Sequence, residues 1–502
     1  MQKRLLAMNT VISILYQVIV VICGFVLPRV ILETFGSEIN GLVNSITQFL
    51  SIISLMELGV GAVVSSALYG PLAEKKWKIV SRIVSSAEKF FKSIARILLV
   101  YVILLIFIYP FINNSHFDRL YTGSLILIIS INSFAQYYIG VVDNIILGAD
   151  QRAFIVYGTQ AIAHLLNTIL CIVIMRFGVG IHIVKAVTAS IYLLRPLVVR
   201  IYIKKHYQIN RKEKYDVEPL GQKWNAVAQH ISECVLDSTD VMILTIFSTL
   251  SSVSIYYVYN LVVYNLKNFF LIAASSGVLS VLGNLYATNH RMELKKFFDN
   301  AEWFIHTLVS LLFGMTAVLI IPFVTVYTNN INDANYIQPL FAFMIVLAHA
   351  SHCLRLPYFL MIKAAGHYKE TQNCFIISTF INILISVILV KILGLVGVAI
   401  GTFIAMLCQT IWLSRYTYRN LLQKNYLGLI KRIVVDGVLF GIIYVICSNF
   451  KLTAISYISW FILAIKVAVV SVIITIVLSL IFNRRQLVPM VESIQEKIKG
   501  RK

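Results

Sequence analysis

No polar stretch in this 502-residue chain is long enough to fold as a soluble domain. The longest gaps between apolar runs fall near 70–92, 204–224 and 415–432, so any chemistry would have to be done inside a membrane. Charge is scarce, at 13% of residues, and acid is scarcer still, with 22 Asp and Glu against 43 Lys and Arg. No Gly-rich phosphate loop, nucleophile elbow or kinase-like motif set is present, which argues against ATP as the energy source. The cysteines number seven (Cys23, Cys171, Cys234, Cys353, Cys374, Cys408 and Cys447) and are scattered through apolar segments with neither disulfide nor zinc spacing. His349-x-x-His352-Cys353 has helical spacing but no carboxylate or second ligand pair beside it, so neither metal nor cofactor is expected. A cleavable signal is not expected either, because the first apolar stretch is too long and lacks a small-residue exit.

Hydrophobic residues make up 59% of the chain and gather into runs of the roughly 20 residues that a helix needs to cross hydrocarbon. Fourteen candidate spans lie near 9–33, 39–69, 93–112, 120–146, 153–176, 180–203, 225–247, 252–285, 302–328, 335–362, 371–391, 395–414, 433–449 and 456–482. The basic residues occupy every second gap. One set of gaps holds Lys3 and Arg4; Lys75, Lys76, Lys78, Arg82, Lys89 and Lys92; Arg152; Lys204, Lys205, Arg211, Lys212, Lys214 and Lys223; Arg291, Lys295 and Lys296; Lys363 and Lys369; Arg415, Arg419, Lys424, Lys431 and Arg432; and Arg484, Arg485 and the tail. The other set holds only Arg29, Arg119, Arg176, Lys391 and Lys451. Positive charge stays inside, so the first set, and with it both termini, is expected to be cytoplasmic. The net charge of +21 then serves topology and anionic lipid rather than nucleic acid.

Two stretches about 215 residues apart echo each other. Gly148-Ala149-Asp150, a helix reaching Asn167 and Gly178-Val179-Gly180 return as Ala365-Gly366-His367, a helix reaching Asn382 and Gly394-Leu395-Val396-Gly397. Spans one and seven are likewise each followed by a tight turn, Phe35-Gly36-Ser37 and Phe247-Ser248-Thr249. A period of six helices is even, so both halves keep one orientation, an arrangement known in transporters. The fold class is therefore an all-α polytopic membrane protein of about 14 helices. It comprises an N-terminal lobe (1–210), a C-terminal lobe (211–420) and two further helices with a basic tail (421–502). Two like-oriented lobes suggest a cavity opened alternately to either side, sufficient in a monomer.

An ionisable side chain at bilayer depth is costly and is read as functional by default. Lys267 lies near the middle of the eighth span. Tyr256, Asn260, Tyr264 and Lys267 fall within about 80° of one helical face, which suits an anionic headgroup bearing sugars. Arg355 and Arg195, closely followed by Pro357 and Pro196, can hold phosphate bidentately or snorkel to the interface. Lys466 is deep in span fourteen, and Arg29 pairs with Glu33 four residues on. Glu233, Asp237 and Asp240 share a face of span seven with His230 beside them. They are candidates to take up a proton or Na⁺, supported by Asn382 or Asn373 of span eleven if the lobe follows the repeat. Glu57, expected mid-helix with Gly61 and Ser65 on its face, is the other coupling candidate.

The motifs at 24–36 (Gly-Phe-Val-Leu-Pro-Arg-Val-Ile-Leu-Glu-Thr-Phe-Gly), 40–46 (Asn-Gly-Leu-Val-Asn-Ser-Ile), 55–61 (Leu-Met-Glu-Leu-Gly-Val-Gly) and 67–73 (Ala-Leu-Tyr-Gly-Pro-Leu-Ala) form an ordered set. They continue with Leu-Arg-Pro-Leu and Ile-Lys-Lys-His-Tyr within 194–207, Asp-Ser-Thr-Asp-Val-Met-Ile-Leu (237–244) and Val-Ser-Ile-Tyr-Tyr-Val-Tyr-Asn (253–260). Over essentially the whole chain this resembles the polysaccharide exporter or O-antigen flippase family of the multidrug/oligosaccharidyl-lipid/polysaccharide exporter (MOP) superfamily. The resemblance implies alternating access in the cytoplasmic membrane and a polyprenyl-pyrophosphate-linked oligosaccharide as cargo, for lipopolysaccharide or capsule. It implies coupling to H⁺, Na⁺ or the membrane potential without a cofactor, a polysaccharide polymerase with its chain-length machinery as partners, and a lipid-tail groove in the last two helices. Lys267, Arg355 and Arg195 would then meet pyrophosphate or acidic sugars. The alternatives are a lipid II flippase, a multidrug or cation antiporter of the same superfamily and, more remotely, a membrane-embedded polymerase, which the minimal outer loops disfavour.

Overall fold

The computed structural model describes residues 2–57, 59–112, 117–213, 224–484 and 486–487, and among these there are helices and no strands. The basic residues Lys214, Lys223, Arg485 and the tail beyond 487 lie outside the described residues. Helix is what hydrocarbon demands, because no water is present there to satisfy backbone N–H and C=O groups. Contacts divide the chain into two compact units, Met1–Ser254 and Ile255–Lys502.

The first unit opens with α1 (Gln2–Ser51), whose 50 residues are far too long for one crossing. It bends at Gly36 (φ 80°, ψ 178°), a conformation that only glycine adopts cheaply, and so carries the first two spans. The second span does not run unbroken over 39–69 as its apolarity suggests. A 3₁₀ segment, Ile52–Glu57, and the left-handed Gly59 (φ 71°) interrupt it before α2 (Val60–Ala73). Glu57 therefore shares no helical face with Gly61 and Ser65, and Ser65 donates to Tyr69 instead. Next come α3 (Trp77–Ile112) and α4 (Arg119–Ala135), the latter started by Asp118, which accepts from the Arg119 amide at 2.8 Å. A π-helical segment, Gln136–Gly140, leads into α5 (Val141–Ala149), followed by α6 (Ala153–Arg176), α7 (Ile181–His206) and α8 (Trp224–Phe247).

The second unit takes up α9 (Leu250–Ala287) and continues with α10 (Arg291–Tyr327) and the pair α11 (Pro339–Leu354) and α12 (Leu356–Ala365), split at Arg355 ahead of Pro357. Then follow α13 (Tyr368–Leu393), α14 (Leu395–Tyr416), a π-helical segment Thr417–Leu421, α15 (Leu427–Cys447) and α16 (Tyr457–Phe482). The last two helices pack on α10: Ile443, Cys447, Leu463 and Val467 cluster with Val318 and Leu319, and the Trp460 indole donates to the Leu319 carbonyl at 3.2 Å.

Eleven helices among the described residues are long and apolar enough to cross a membrane. The first contains two spans, and α8 and α15 have crossing length with ionisable residues inside, which accounts for the fourteen expected. This is a multi-pass membrane protein. The repeat is written in the backbone as well. Left-handed turns recur about 215 residues apart at Lys75 and Asn289, at Gln151 and Gly366, and at Gly178 and Gly394. The fourth span is interrupted in both halves, by the π segment at Gln136–Gly140 and by the break at Arg355.

Gly41 is where α1 meets the start of α9 within the first unit: a Cβ there would overlap the Leu250 carbonyl. Gly41→Ala should therefore cost about 1–3 kcal/mol through overpacking. The expected result is a lower thermal midpoint in detergent by fluorescence-detected gel filtration, with Gly24→Ala, which meets no neighbour within 4 Å, unchanged.

Candidate functional site

The interruptions in the first unit converge on one place. The end of α1, its 3₁₀ extension and the π segment line a cavity of about 360 Å³ with Ser51, Ser54, Asn132, Gln136, Tyr137 and Arg195. Irregular backbone at membrane depth is tolerated where it lines a polar cavity. Arg195 reaches it from α7 and donates through Nη2 to Gln136 Oε1 at 2.7 Å. Pro196, the next residue, packs beside Gly140, where a side chain would crowd both the proline ring and Gln136.

Tyr137 links this cavity to the acids: its hydroxyl donates to Glu57 Oε1 at 2.7 Å. Cys234 of α8 lies within electrostatic range of Glu57, Glu233 and Asp237, and within hydrogen-bonding reach of Ser54. The structure thus brings Glu57 and two of the α8 acids around one thiol. His230 Nε2 is 3.7 Å from that sulfur. Along α8, Glu233 is half-buried, Asp237 exposed and Asp240 buried, so the one face read from the sequence spans a gradient of solvation.

The second unit buries its cations. Lys267, 2% exposed, sits with its Nζ 4.7 Å from the centre of the Tyr264 ring. It lies within electrostatic range of His349, His352 and Cys353 of α11. Of its helical face, Tyr256 is buried against Phe341, Asn260 is half-buried and Tyr264 is exposed. Arg355, at the break between α11 and α12, does not snorkel, being 1% exposed. Its Nη1 donates to Gln409 Oε1 at 2.5 Å, its Nη2 is 3.2 Å from His352 Nε2, and its guanidinium lies over Phe359 and Phe375. A guanidinium this close to His352 repels a metal cation at the His349-x-x-His352 pair.

Of the remaining candidates, Arg29 meets Glu33 at 3.8 Å as its spacing implies. Lys466 is exposed on α16. Asn382 is wholly buried and donates to Thr402 at 2.9 Å, tying α13 to α14.

Sequence reasoning missed a second class of charge. In the first unit, Arg200 bridges Asp143 (2.5 Å) and Glu88 (3.1 Å), and Arg211 from the segment after α7 meets the same two carboxylates. Arg211 lies outside the spans; burial opposes its charge, but Asp143 and Glu88 outweigh burial and raise its pKa. In the second unit, Glu302 stands about 215 residues after Glu88. It is fully buried, accepts from Tyr418 at 2.9 Å and meets Arg432 at 3.4 Å. One turn along α10, His306 Nδ1 is 2.6 Å from Asp436. The repeat offset applied to each acid would have flagged Glu88 and Glu302 as a pair.

No family model matches the sequence, and no curated protein matches it. Among solved structures the chain is similar to the lipid II flippase MurJ in an inward closed conformation, with a TM-score of 0.70 and 15% identity over 95% of this chain and 99% of that one. It is similar to an inward-facing multidrug resistance MATE family transporter of the MOP superfamily, with a TM-score of 0.60 and 14% identity over 80% of this chain and 94% of that one. A eukaryotic MATE transporter, AtDTX14, gives a TM-score of 0.54 and 12% identity over 93% and 99% of the two chains. The chain therefore shares the all-α polytopic fold of these solved transporters.

Asp143 is wholly buried, and both of its arginine partners are less than one-fifth exposed. Asp143→Ala leaves Arg200, Arg211 and Lys92 facing Glu88 alone and should destabilise the first unit by about 3 kcal/mol. Asp143→Asn, whose amide oxygen still accepts from Arg200, should lose less. Thermal midpoints of the two variants check the order.

Proposed function

We propose that the chain is a flippase that carries a polyprenyl-pyrophosphate-linked oligosaccharide from the inner to the outer leaflet of the cytoplasmic membrane for surface polysaccharide synthesis. The observation that carries this reading is Lys267, an ammonium at span depth backed by a phenol ring and set among histidines and Arg355. A buried cation is matched by an anionic cargo, and aromatic faces stack on sugars. A cationic drug would be repelled by the same group, which weighs against the multidrug alternative. The MurJ likeness supports a second cargo with the same chemistry, lipid II, and the fold alone does not separate the two.

In this reading pyrophosphate enters from the cytoplasm and is neutralised by Lys267. Differential binding then shifts the population toward the outward-open state. The acids around Cys234 take up a proton or Na⁺ that resets the cycle, with Tyr137 holding Glu57 at the wall of the Arg195 cavity. Arg355, engaged by Gln409, positions the α11–α12 joint near the cargo group rather than meeting cargo directly.

The test is flipping of a fluorescent polyprenyl-pyrophosphate oligosaccharide in proteoliposomes, with and without proton or sodium gradients. Lys267→Ala should slow flipping about 10- to 100-fold, the loss of one hydrogen bond to a charged group worth ~1.5–3 kcal/mol, and Lys267→Arg should retain part. Wild-type flipping in Lys267→Ala would remove the proposed role, and efflux of cationic dyes in place of flipping would favour the antiporter. Glu57→Gln should keep downhill flipping yet lose its response to an imposed gradient.

A further inference from the structure

The second unit carries a feature that neither cargo binding nor coupling uses, a groove of about 770 Å³ on α13 and α14. Its length is apolar, walled by Ile377, Ile381, Ile411 and Trp412, and one end is closed by Arg415 and Arg419. Trp412, Arg415, Tyr416 and Arg419 are spaced i, i+3, i+4 and i+7, so one face of the helix end presents an indole, a phenol and two guanidinium groups. The π-helical segment Thr417–Leu421 carries Arg419, and Lys424 N closes it by donating to the Tyr418 carbonyl at 2.8 Å.

Both arginines are exposed, and neither has an ion-pair or hydrogen-bond partner among the described residues. The repeat sharpens this. About 215 residues earlier, at the matching end of α7, Arg200 is consumed by Asp143 and Glu88. In the second unit Glu302 is served by Tyr418 and Arg432 instead, which leaves the arginines at the end of α14 turned outward. The groove therefore joins an apolar channel to a paired cationic clamp, at the end of α14 that the alternation of basic gaps places on the cytoplasmic side. Two guanidinium groups match the oxygens of one phosphate, and tryptophan and tyrosine favour the depth at which headgroup meets acyl chain.

We infer that this groove binds an anionic phospholipid of the inner leaflet, with an acyl chain along Ile377, Ile381 and Ile411 and the headgroup phosphate between Arg415 and Arg419. Basic pockets between helices on this side of a membrane recognise anionic headgroups by the same chemistry. The site stands whether or not the cargo is an oligosaccharide.

The experiment is native mass spectrometry of the full chain released from nanodiscs of equimolar phosphatidylglycerol and phosphatidylcholine. The expected result is one phosphatidylglycerol retained in preference to phosphatidylcholine. An Arg415→Gln/Arg419→Gln variant should lose that preference by about tenfold or more, on the order of fivefold per arginine at the membrane surface. Arg419→Gln alone, a change at an exposed turn, should lose part of it at an unchanged thermal midpoint, which keeps the test sound if the double variant is unstable. Equal retention by wild type and the variants would overturn the proposal. So would displacement of phosphatidylglycerol by millimolar inorganic phosphate, the mark of a free-anion site. In a parallel set of nanodiscs that also contain polyprenyl phosphate, its retention in preference to phosphatidylglycerol, lost in the double variant, would overturn it as well.

Discussion

Within each unit the decisive constraint is one buried glutamate that must find positive or hydroxylic partners. Glu88 on α3 and Glu302 on α10 sit where water is scarce, and an unpaired carboxylate there costs several kcal/mol. Glu88 meets Lys92 one turn along its own helix at 3.0 Å, and both glutamates draw their remaining partners from distant parts of the chain. Glu88 draws in the end of α7 and the segment behind it through Arg200 and Arg211, while Glu302 draws in the turn after α14 through Tyr418 and α15 through Arg432. Apolar packing could tolerate a helix slid or rotated by a few degrees. A guanidinium that bridges two carboxylates cannot, so Arg200 and Arg211 set the register of the helix ends in the first unit.

The interrupted helices follow the same logic. Breaks in the hydrogen-bond ladder occur at Ile52–Glu57, at Gln136–Gly140 and at Arg355. The first two open onto the polar cavity of Arg195, and the third is plugged by Gln409 and His352. In hydrocarbon such breaks survive only where side chains or a cavity replace the lost backbone partners. Ionisable groups accompany them, the acids with Arg195 in the first unit and Lys267 with Arg355 in the second.

Much of the fold was legible without coordinates. Apolar run length marks a span whatever the tertiary structure, and the positions of Gly36, Gly178 and Gly394 marked turns because only glycine enters those backbone regions freely. The break after Glu57 was not legible. Leu-Met-Glu-Leu-Gly reads as ordinary apolar helix, and a 3₁₀ segment is chosen by what packs around it rather than by its own residues. Site residues divided along the same line. The depth of Lys267 followed from counting residues, whereas the Tyr137 hydroxyl on Glu57 joins positions 80 residues apart and leaves no periodic trace.

The sequence by itself determined an all-α polytopic chain, the number of its spans and the six-helix repeat, because the length and polarity of each segment act locally and hydrocarbon permits little besides helix. Only the tertiary structure decided which charges meet. Arg211 looked like an ordinary basic residue of a gap between spans, yet it folds with Arg200 onto buried acids, while Arg415 and Arg419, also in a basic gap, face outward from a groove. The reason is physical: a charge in low dielectric is governed by its nearest partner, and that partner is supplied by packing across helices.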